Sequence, residues 1–156
     1  MIPGLRFKLI VWFSRLHGIA LRTSGGRLMR KLMGLNMLLL STTGRRTGQL
    51  RNTPLLYLEH NGRYYCVASF AGNDSDPSWF LNLLADPNVE LLVNRERFTA
   101  KASQTSGLER TEVWEKFVEY YPGYANYQQR TDRIIPVVRF DPVSSIEKSK
   151  TQPRSD

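Results

Sequence analysis

The chain has 156 residues, enough for one domain with a sizeable core, and its 41% hydrophobic and 23% charged content is that of a globular protein. A single cysteine, Cys66, excludes an internal disulfide framework and suits a reducing cytoplasm, while His17 and His60 lie too far apart to open a metal-ligand motif. The net charge of +8 is uneven: ten Lys and Arg but no Asp or Glu precede Glu59, so that segment carries +10, the remainder carries −2, and an anionic partner such as lipid, nucleic acid or a phosphorylated cofactor is implied.

Residues 2 to 21 place Leu5, Leu9, Trp12, Phe13, Leu16 and Ile19 or Ala20 at helical spacing, interrupted and followed by Arg6, Lys8, Arg15 and Arg22. The run is too broken by charge to span a membrane. It fits either a basic amphipathic helix at a membrane interface or a helix packed on its own domain. Ser24-Gly25-Gly26 breaks it before a second short helix over Arg27 to Met33. From there the pattern turns to β: strands are predicted over Met37 to Thr43, Leu50 to Glu59 and Arg63 to Ser69, with a tight turn at Asn61-Gly62. Pro54 marks an edge or a bulge, since it has no N–H for a ladder. Asp76 is placed to cap a helix that has Pro77 at its first position and runs through Trp79, Leu81 and Leu84. Val89 to Asn94 and Arg97 to Gln104 follow as strands. Ser106 and Glu109 have the spacing of a capping box, opening a helix that stops before Pro122. Four tyrosines then fall within Tyr120 to Tyr127, a last strand runs from Ile134 to Phe140, and Pro142 onward reads as a disordered tail. About six strands in mostly antiparallel connection favour a small barrel or α+β roll. The expected division is a helical segment over residues 1–36, the barrel domain over 37–142 and the tail over 143–156.

No Rossmann fingerprint, Walker loop or nucleophile elbow is present. Three segments carry the chemistry that remains. The first is the Gly44-Arg45-Arg46-Thr47-Gly48 turn: glycines that permit positive φ let amides converge on an anion, the arginines add forked donors and Thr47 a hydroxyl. Alone it equally fits a solvated hairpin. The second is Ala68-Ser69-Phe70-Ala71-Gly72 after the third strand. The third is Pro77 to Asn82, where a helix N-terminus can present amides, although Trp79 and Phe80 are more readily core than ligand contacts. Flat aromatic walls with donors beside them suit a planar cofactor with an anionic tail. Cys66, within an apolar run, reads as a buried inert thiol.

In their joint order these segments resemble the deazaflavin-dependent nitroreductase family of split-barrel oxidoreductases, found mainly in actinobacteria. The resemblance covers roughly Met37 to Asp141. It rests on Leu-Leu-Ser-Thr-Thr-Gly-Arg-Arg-Thr-Gly-Gln, Arg51-Asn52-Thr53-Pro54-Leu55, Ala68-Ser69, Ser78-Trp79-Phe80-Leu81-Asn82 with Ala85-Asp86-Pro87, the Tyr120 to Tyr127 segment, Thr131-Asp132-Arg133 and Ile135-Pro136. It implies an α+β, mainly β fold: a split β-barrel of the flavin reductase or FMN-binding type, with about six antiparallel strands, an N-terminal amphipathic helix and peripheral helices. It also implies coenzyme F420, an 8-hydroxy-5-deazaflavin with a phosphate and a polyglutamate tail, in preference to FMN. On that likeness Gly44, Arg45, Arg46 and Thr47 hold the tail. Arg51, Asn52, Thr53, Pro54, Leu55 and Leu56, with Val67, Ala68, Ser69 and Phe70, border the ring and ribityl chain, joined by Ser78, Trp79, Phe80, Leu81 and Asn82. Ser69 and Tyr124 are the implied residues for orienting the acceptor or relaying a proton, Tyr124 also touching the cofactor, with Tyr121 and Tyr127 shaping a lid. The chain departs from better-known members at Phe70, where they carry a basic residue, and at Ser78, where a larger apolar residue is common.

The implied reaction is hydride transfer from reduced F420 to an electron-poor acceptor: a quinone, an activated enone or a nitroaromatic. A lipid-soluble quinone would accord with peripheral contact of residues 1–30 on the inner face of the cell membrane. A non-catalytic carrier or sensor of F420 or flavin on the same barrel is the rival. A nucleic-acid-binding barrel, prompted by the pI of about 9.9, lacks a recognisable stacking motif, so no nucleic-acid partner is expected. No metal is expected, and nothing in the sequence fixes the oligomeric state.

Overall fold

The computed structural model describes residues 34–145. The expected helices over residues 2–21 and 27–33, and everything after Ser145, lie outside the described residues. β1 (Met37–Thr43), β2 (Leu50–His60), β3 (Arg63–Val67), β4 (Asn88–Val93), β5 (Glu96–Gln104) and β6 (Val137–Ser145) close into one antiparallel barrel in the order β1-β2-β3-β6-β5-β4. Outside the strands run a 3-10 turn (Phe70–Gly72), α1 (Ser78–Ala85), α2 (Gly107–Tyr120) and α3 (Gly123–Gln128). Among the described residues no helix is long and apolar enough to cross a membrane.

The period of two in each strand sorts side chains into two cores. Leu38, Leu40, Tyr57, Cys66, Leu91, Phe98, Ala100, Val138 and Phe140 fill the barrel interior, into which α1 inserts Trp79, Phe80 and Leu83. Tyr65, Val67, Ile135 and Val137 form a second, outer core beneath Val113 and Phe117 of α2 and Tyr124 of α3.

The barrel wall parts at one place. β2 pairs with β3 only from Tyr57↔Cys66 to His60↔Arg63, whereas Leu50 to Leu56 pair with β1 alone. The sequence explains the break. The Tyr57 N–H donates to the Asn36 carbonyl (3.1 Å), the residue that leads into β1. Backbone direction alternates along a strand, so position 54 turns toward the β3 side. Proline there has no N–H to offer. The chain leaving β3 is held instead from the other flank, by the Ala68 N–H on the Pro136 carbonyl (2.9 Å). Arg51–Leu56 and Ala68–Phe70 thus border one opening, and Pro54 is an edge position rather than a bulge.

Four local expectations are corrected. Asp76 does not cap α1; its carboxylate pairs with Arg133 (2.9 Å), and Pro77 precedes the helix without a side-chain cap. Ser106 and Glu109 form no capping box; Glu109 accepts both from Arg139 (3.0 and 3.1 Å) and from the Tyr65 hydroxyl (3.0 Å), tying α2 to the barrel. The chain Glu109–Arg139–Asp141–Arg63 extends that tie along β6 and β3. β3 ends at Val67 rather than Ser69. β6 starts at Val137 and continues through Pro142 to Ser145 on β5, so the tail expected from Pro142 begins as strand, with an irregular register between Thr99 and Ala100.

Candidate functional site

The arginine turn joins β1 to β2. Gly48 has φ +67°, as the glycine reading requires, but Gly44 does not take a positive φ. Gly44 is needed for space: a Cβ there would come 3.0 Å from both the Gln49 carbonyl and the Thr47 hydroxyl. The expected convergence of amides on an anion is also corrected. The Gly44 amide bonds the Gln49 carbonyl (2.8 Å), and Thr47 and Gly48 amides bond the Gly44 carbonyl (3.1 and 2.7 Å). The Arg45 amide bonds Asn82 Oδ1 (3.2 Å), and Gln49 bonds the Thr47 hydroxyl (3.3 Å). What the turn offers outward is therefore guanidinium: Arg45, Arg46 and Arg51 are exposed, and no carboxylate pairs with any of them among the described residues.

Asn82 sets that display. It is 5% exposed on α1, accepts from the Arg45 amide and guanidinium (both 3.2 Å), and donates to the Thr42 hydroxyl (3.2 Å). It braces the turn rather than presenting a free amide. Trp79 and Phe80 are interior core, and Leu55 packs on that core while Leu56 packs on the outer one. Alternation likewise sends Val67 outward and Ala68 inward. The contiguous runs 51–56 and 67–70 therefore cannot all line one ligand; Arg51, Thr53 and Leu55 share one face, and Asn52, whose Oδ1 accepts from Ser41 (2.7 Å), shares the other with Pro54 and Leu56. Ser78 is exposed and Leu81 half-buried at the start of α1.

Across the opening, Ser69 is half-buried, and its hydroxyl makes no hydrogen bond among the described residues. Phe70 and Ala71 follow with φ of +47° and +55°, two consecutive left-handed positions that bear side chains. Arg133 grips this segment from outside, reaching the carbonyls of Ala68 (3.1 Å), Ser69 (2.9 Å) and Asn73 (2.8 Å). Gly72 lies against the Tyr127 backbone. Nothing in the sequence pattern pointed to Arg133 in this role; its partners are 57 to 65 residues away.

The tyrosines do come together. Tyr121 and Tyr127 hydroxyls meet at 3.5 Å, and Tyr124 lies edge-on to both, with ring centroids at 5.4 and 6.1 Å. Tyr124 also lies edge-on to Phe117 and is 6% exposed. Burial pushes its hydroxyl far above the ordinary tyrosine range, so it keeps its proton and packs as core. Its burial is that of the packing role, the alternative to a proton relay for this residue. The Tyr127 hydroxyl is pushed up to about 12, first by the hydrogen bond with Tyr121 and then by burial. Burial raises Tyr64, Tyr65 and the Cys66 thiol as well. These groups stay protonated in the folded chain at pH values where the unfolded chain, with tyrosines near ~10, has begun to lose protons. Stability therefore falls as pH rises through ~10, where the unfolded tyrosines ionise, toward the raised values of the folded chain. Alkaline titration followed by tyrosinate absorbance and far-UV dichroism is expected to show ionisation and unfolding together, and separate, earlier ionisation of these tyrosines would refute it.

The residues fit a flat, anionic-tailed coenzyme: exposed guanidinium groups, without carboxylate partners among the described residues, lie beside an opening bordered by backbone and the Ser69 hydroxyl. Among the described residues no group of three His, Cys, Asp or Glu side chains could hold a metal ion.

Comparison with known proteins places the chain in a family. The model of the family described as F420H(2)-dependent quinone reductase matches residues 12–142. An F420H(2)-dependent quinone reductase of Mycobacterium tuberculosis is 41% identical over 128 residues, covering 80% of this chain and 86% of the relative. The solved structure of an F420-H2 dependent reductase superposes with a TM-score of 0.63 at 39% identity, over 68% of this chain and 94% of that one. A heme storage protein from Vibrio cholerae, at 16% identity, has a TM-score of 0.56 over 70% of this chain and 82% of its own, and shares the fold alone. The split barrel inferred from the sequence is thereby borne out, and the chain belongs to the F420H(2)-dependent quinone reductase family.

Proposed function

We propose that this chain binds reduced F420 across the β2–β3 opening and reduces a quinone there. The observation that carries the reading is the set of exposed guanidinium groups, without carboxylate partners among the described residues, at the edge of that opening in a chain of this family. When bound, reduced F420 supplies a hydride and a proton, turning a quinone into its hydroquinone and leaving the oxidised coenzyme. Arg45, Arg46 and Arg51 hold the phosphate and carboxylates of the tail, for which forked donors are suited. Asn82 keeps Arg45 in place. Thr53, Leu55, Ala68 and Phe70 border the ring, and the Ser69 hydroxyl orients the acceptor carbonyl. Tyr121 and Tyr127 wall the acceptor side, standing on Tyr124.

Mixing the protein with reduced F420 and a soluble quinone, and following the return of the oxidised coenzyme's absorbance, tests this. Oxidation that depends on both protein and quinone is expected. Tight binding without it would favour the carrier reading, and copurified FMN in place of F420 would overturn the coenzyme assignment.

The basic, Trp- and Phe-bearing N-terminal segment supports a cytoplasmic protein that touches the membrane at its inner face, where a lipid-soluble quinone resides. Deleting residues 1–30 is expected to move the protein from the membrane to the soluble fraction while turnover of a soluble quinone persists. Unchanged partitioning would defeat the anchoring role.

A further inference from the structure

The geometry points to Arg133 as the positioning residue of this site, fixing the Ala68–Asn73 segment and, through it, the direction of the Ser69 hydroxyl. The inference rests on the proposed function and goes beyond it. Arg133 is not a tail-binding arginine. Its side chain is 16% exposed and its charge is met by Asp76 at 2.9 Å. Its other donors all go to one segment: Nε to the Asn73 carbonyl (2.8 Å), and one terminal nitrogen to both the Ala68 and Ser69 carbonyls (3.1 and 2.9 Å).

The segment is also held at its start by the Ala68 N–H on the Pro136 carbonyl (2.9 Å) and at Gly72 by the Tyr127 backbone. Its own backbone bonds are Gly72 N–H to the Ser69 carbonyl (2.9 Å) and Asn73 N–H to the Phe70 carbonyl (3.1 Å). Between them Phe70 and Ala71 sit at positive φ, which side-chain-bearing residues adopt only when their surroundings enforce it. A rigid planar fork that takes carbonyls on both sides of the strained pair is such an enforcement. The backbone around residue 133 is anchored too, since Gln128 Nε2 donates to the Arg133 carbonyl (2.8 Å) and Pro136 holds Ala68. The grip therefore connects the end of α3 and the start of β6 to the only serine on this border of the opening. Asp76 is the counter-charge that keeps the fork turned inward.

The test compares wild type with Arg133→Met and Arg133→Lys, using reduced F420 and menadione as the soluble quinone. Arg133→Met is expected to lower kcat about 30- to 100-fold, the scale of a misplaced reacting group. KM for menadione and the F420 dissociation constant are expected to stay within about threefold, because the groups that bind remain. Amide exchange at Gly72 and Asn73 should speed up about tenfold, with barrel-strand amides unchanged, as for a local opening. Arg133→Lys, which keeps charge but not the fork, should recover part of kcat. Adding Ala71→Gly to Arg133→Met should recover about threefold, because glycine takes positive φ without strain. Wild-type kcat in Arg133→Met, or unchanged exchange at Gly72 and Asn73, overturns the role. A loss that tracks a lowered melting temperature of the whole barrel, and that neither Lys nor Gly relieves, overturns it equally. Wild-type protein that leaves reduced F420 unoxidised defeats the proposed function instead, and this role falls with it.

Discussion

Replacing Arg45 and Arg46 together with alanine is expected to weaken F420 binding about 100-fold, with the KM for a soluble quinone essentially unchanged. Hydrogen bonds to charged groups contribute about 1.5–3 kcal/mol each, and tenfold in affinity corresponds to about 1.4 kcal/mol. Two such contacts, discounted for the exposure of both side chains, give the stated factor. The effect should shrink as salt is raised, since screening weakens exposed charge pairs already in wild type. Asn82→Ala is the informative companion. It leaves both charges in place but frees Arg45 and strips the Thr42 hydroxyl of its donor, so a loss of about tenfold is expected, in keeping with one hydrogen bond and its desolvation. Titration of F420 fluorescence measures all three proteins. Unchanged affinity in the double variant would return the turn to a solvated hairpin.

Gly72→Ala is expected to destabilise the fold by about 2–4 kcal/mol, through left-handed strain together with overpacking. A Cβ at position 72 would lie 2.6 Å from the Tyr127 carbonyl oxygen and 3.0 Å from Arg130 Cβ. The first contact is to backbone, so relief requires moving α3 or the 3-10 turn. Gly48→Ala supplies the control. Its φ of +67° is nearly the same as the +77° of Gly72, yet a Cβ there meets nothing within 4 Å. It should cost about 1–2 kcal/mol, the strain alone. Thermal unfolding of both variants measures the difference, and equal losses would show that α3 yields to the added methyl. Since Tyr124 and Tyr127 of the proposed acceptor wall belong to α3, Gly72→Ala should also lower quinone turnover at temperatures where the barrel remains folded.

The architecture was legible where local pattern and local partner coincide. β1 was bounded correctly at both ends because its apolar run stops at a glycine turn, and α2 ends before Pro122 as expected. Expectations failed where a side chain had a better partner far along the chain. Glu109 has the spacing of a cap but finds Arg139, 30 residues on, and Asp76 finds Arg133 after 57. Pro142 looked like a strand terminator, yet β6 accommodates it beside the irregular register at Thr99 and Ala100. The site was legible as segments more than as side chains. Runs such as Arg51–Leu56 carry the family likeness as continuous letters, whereas a strand turns alternate residues to opposite faces, and only the sheet register tells which. Arg133 illustrates the limit: its letter was part of the likeness, but its role depends on four partners that only the folded chain assembles.

The parted wall has a consequence for how the protein lives among other chains. Among the described residues, Leu50–Leu56 of β2 have a strand partner on one side only, and such a free edge is a template onto which another chain can add. Leu50, an exposed apolar residue of that edge, would help to recruit one. Arg51 and Pro54 oppose this, one by charge and one by withholding the N–H that an incoming strand would need on that side. Arg51 and Pro54 thus both discourage edge-to-edge pairing along the stretch proposed to border the coenzyme.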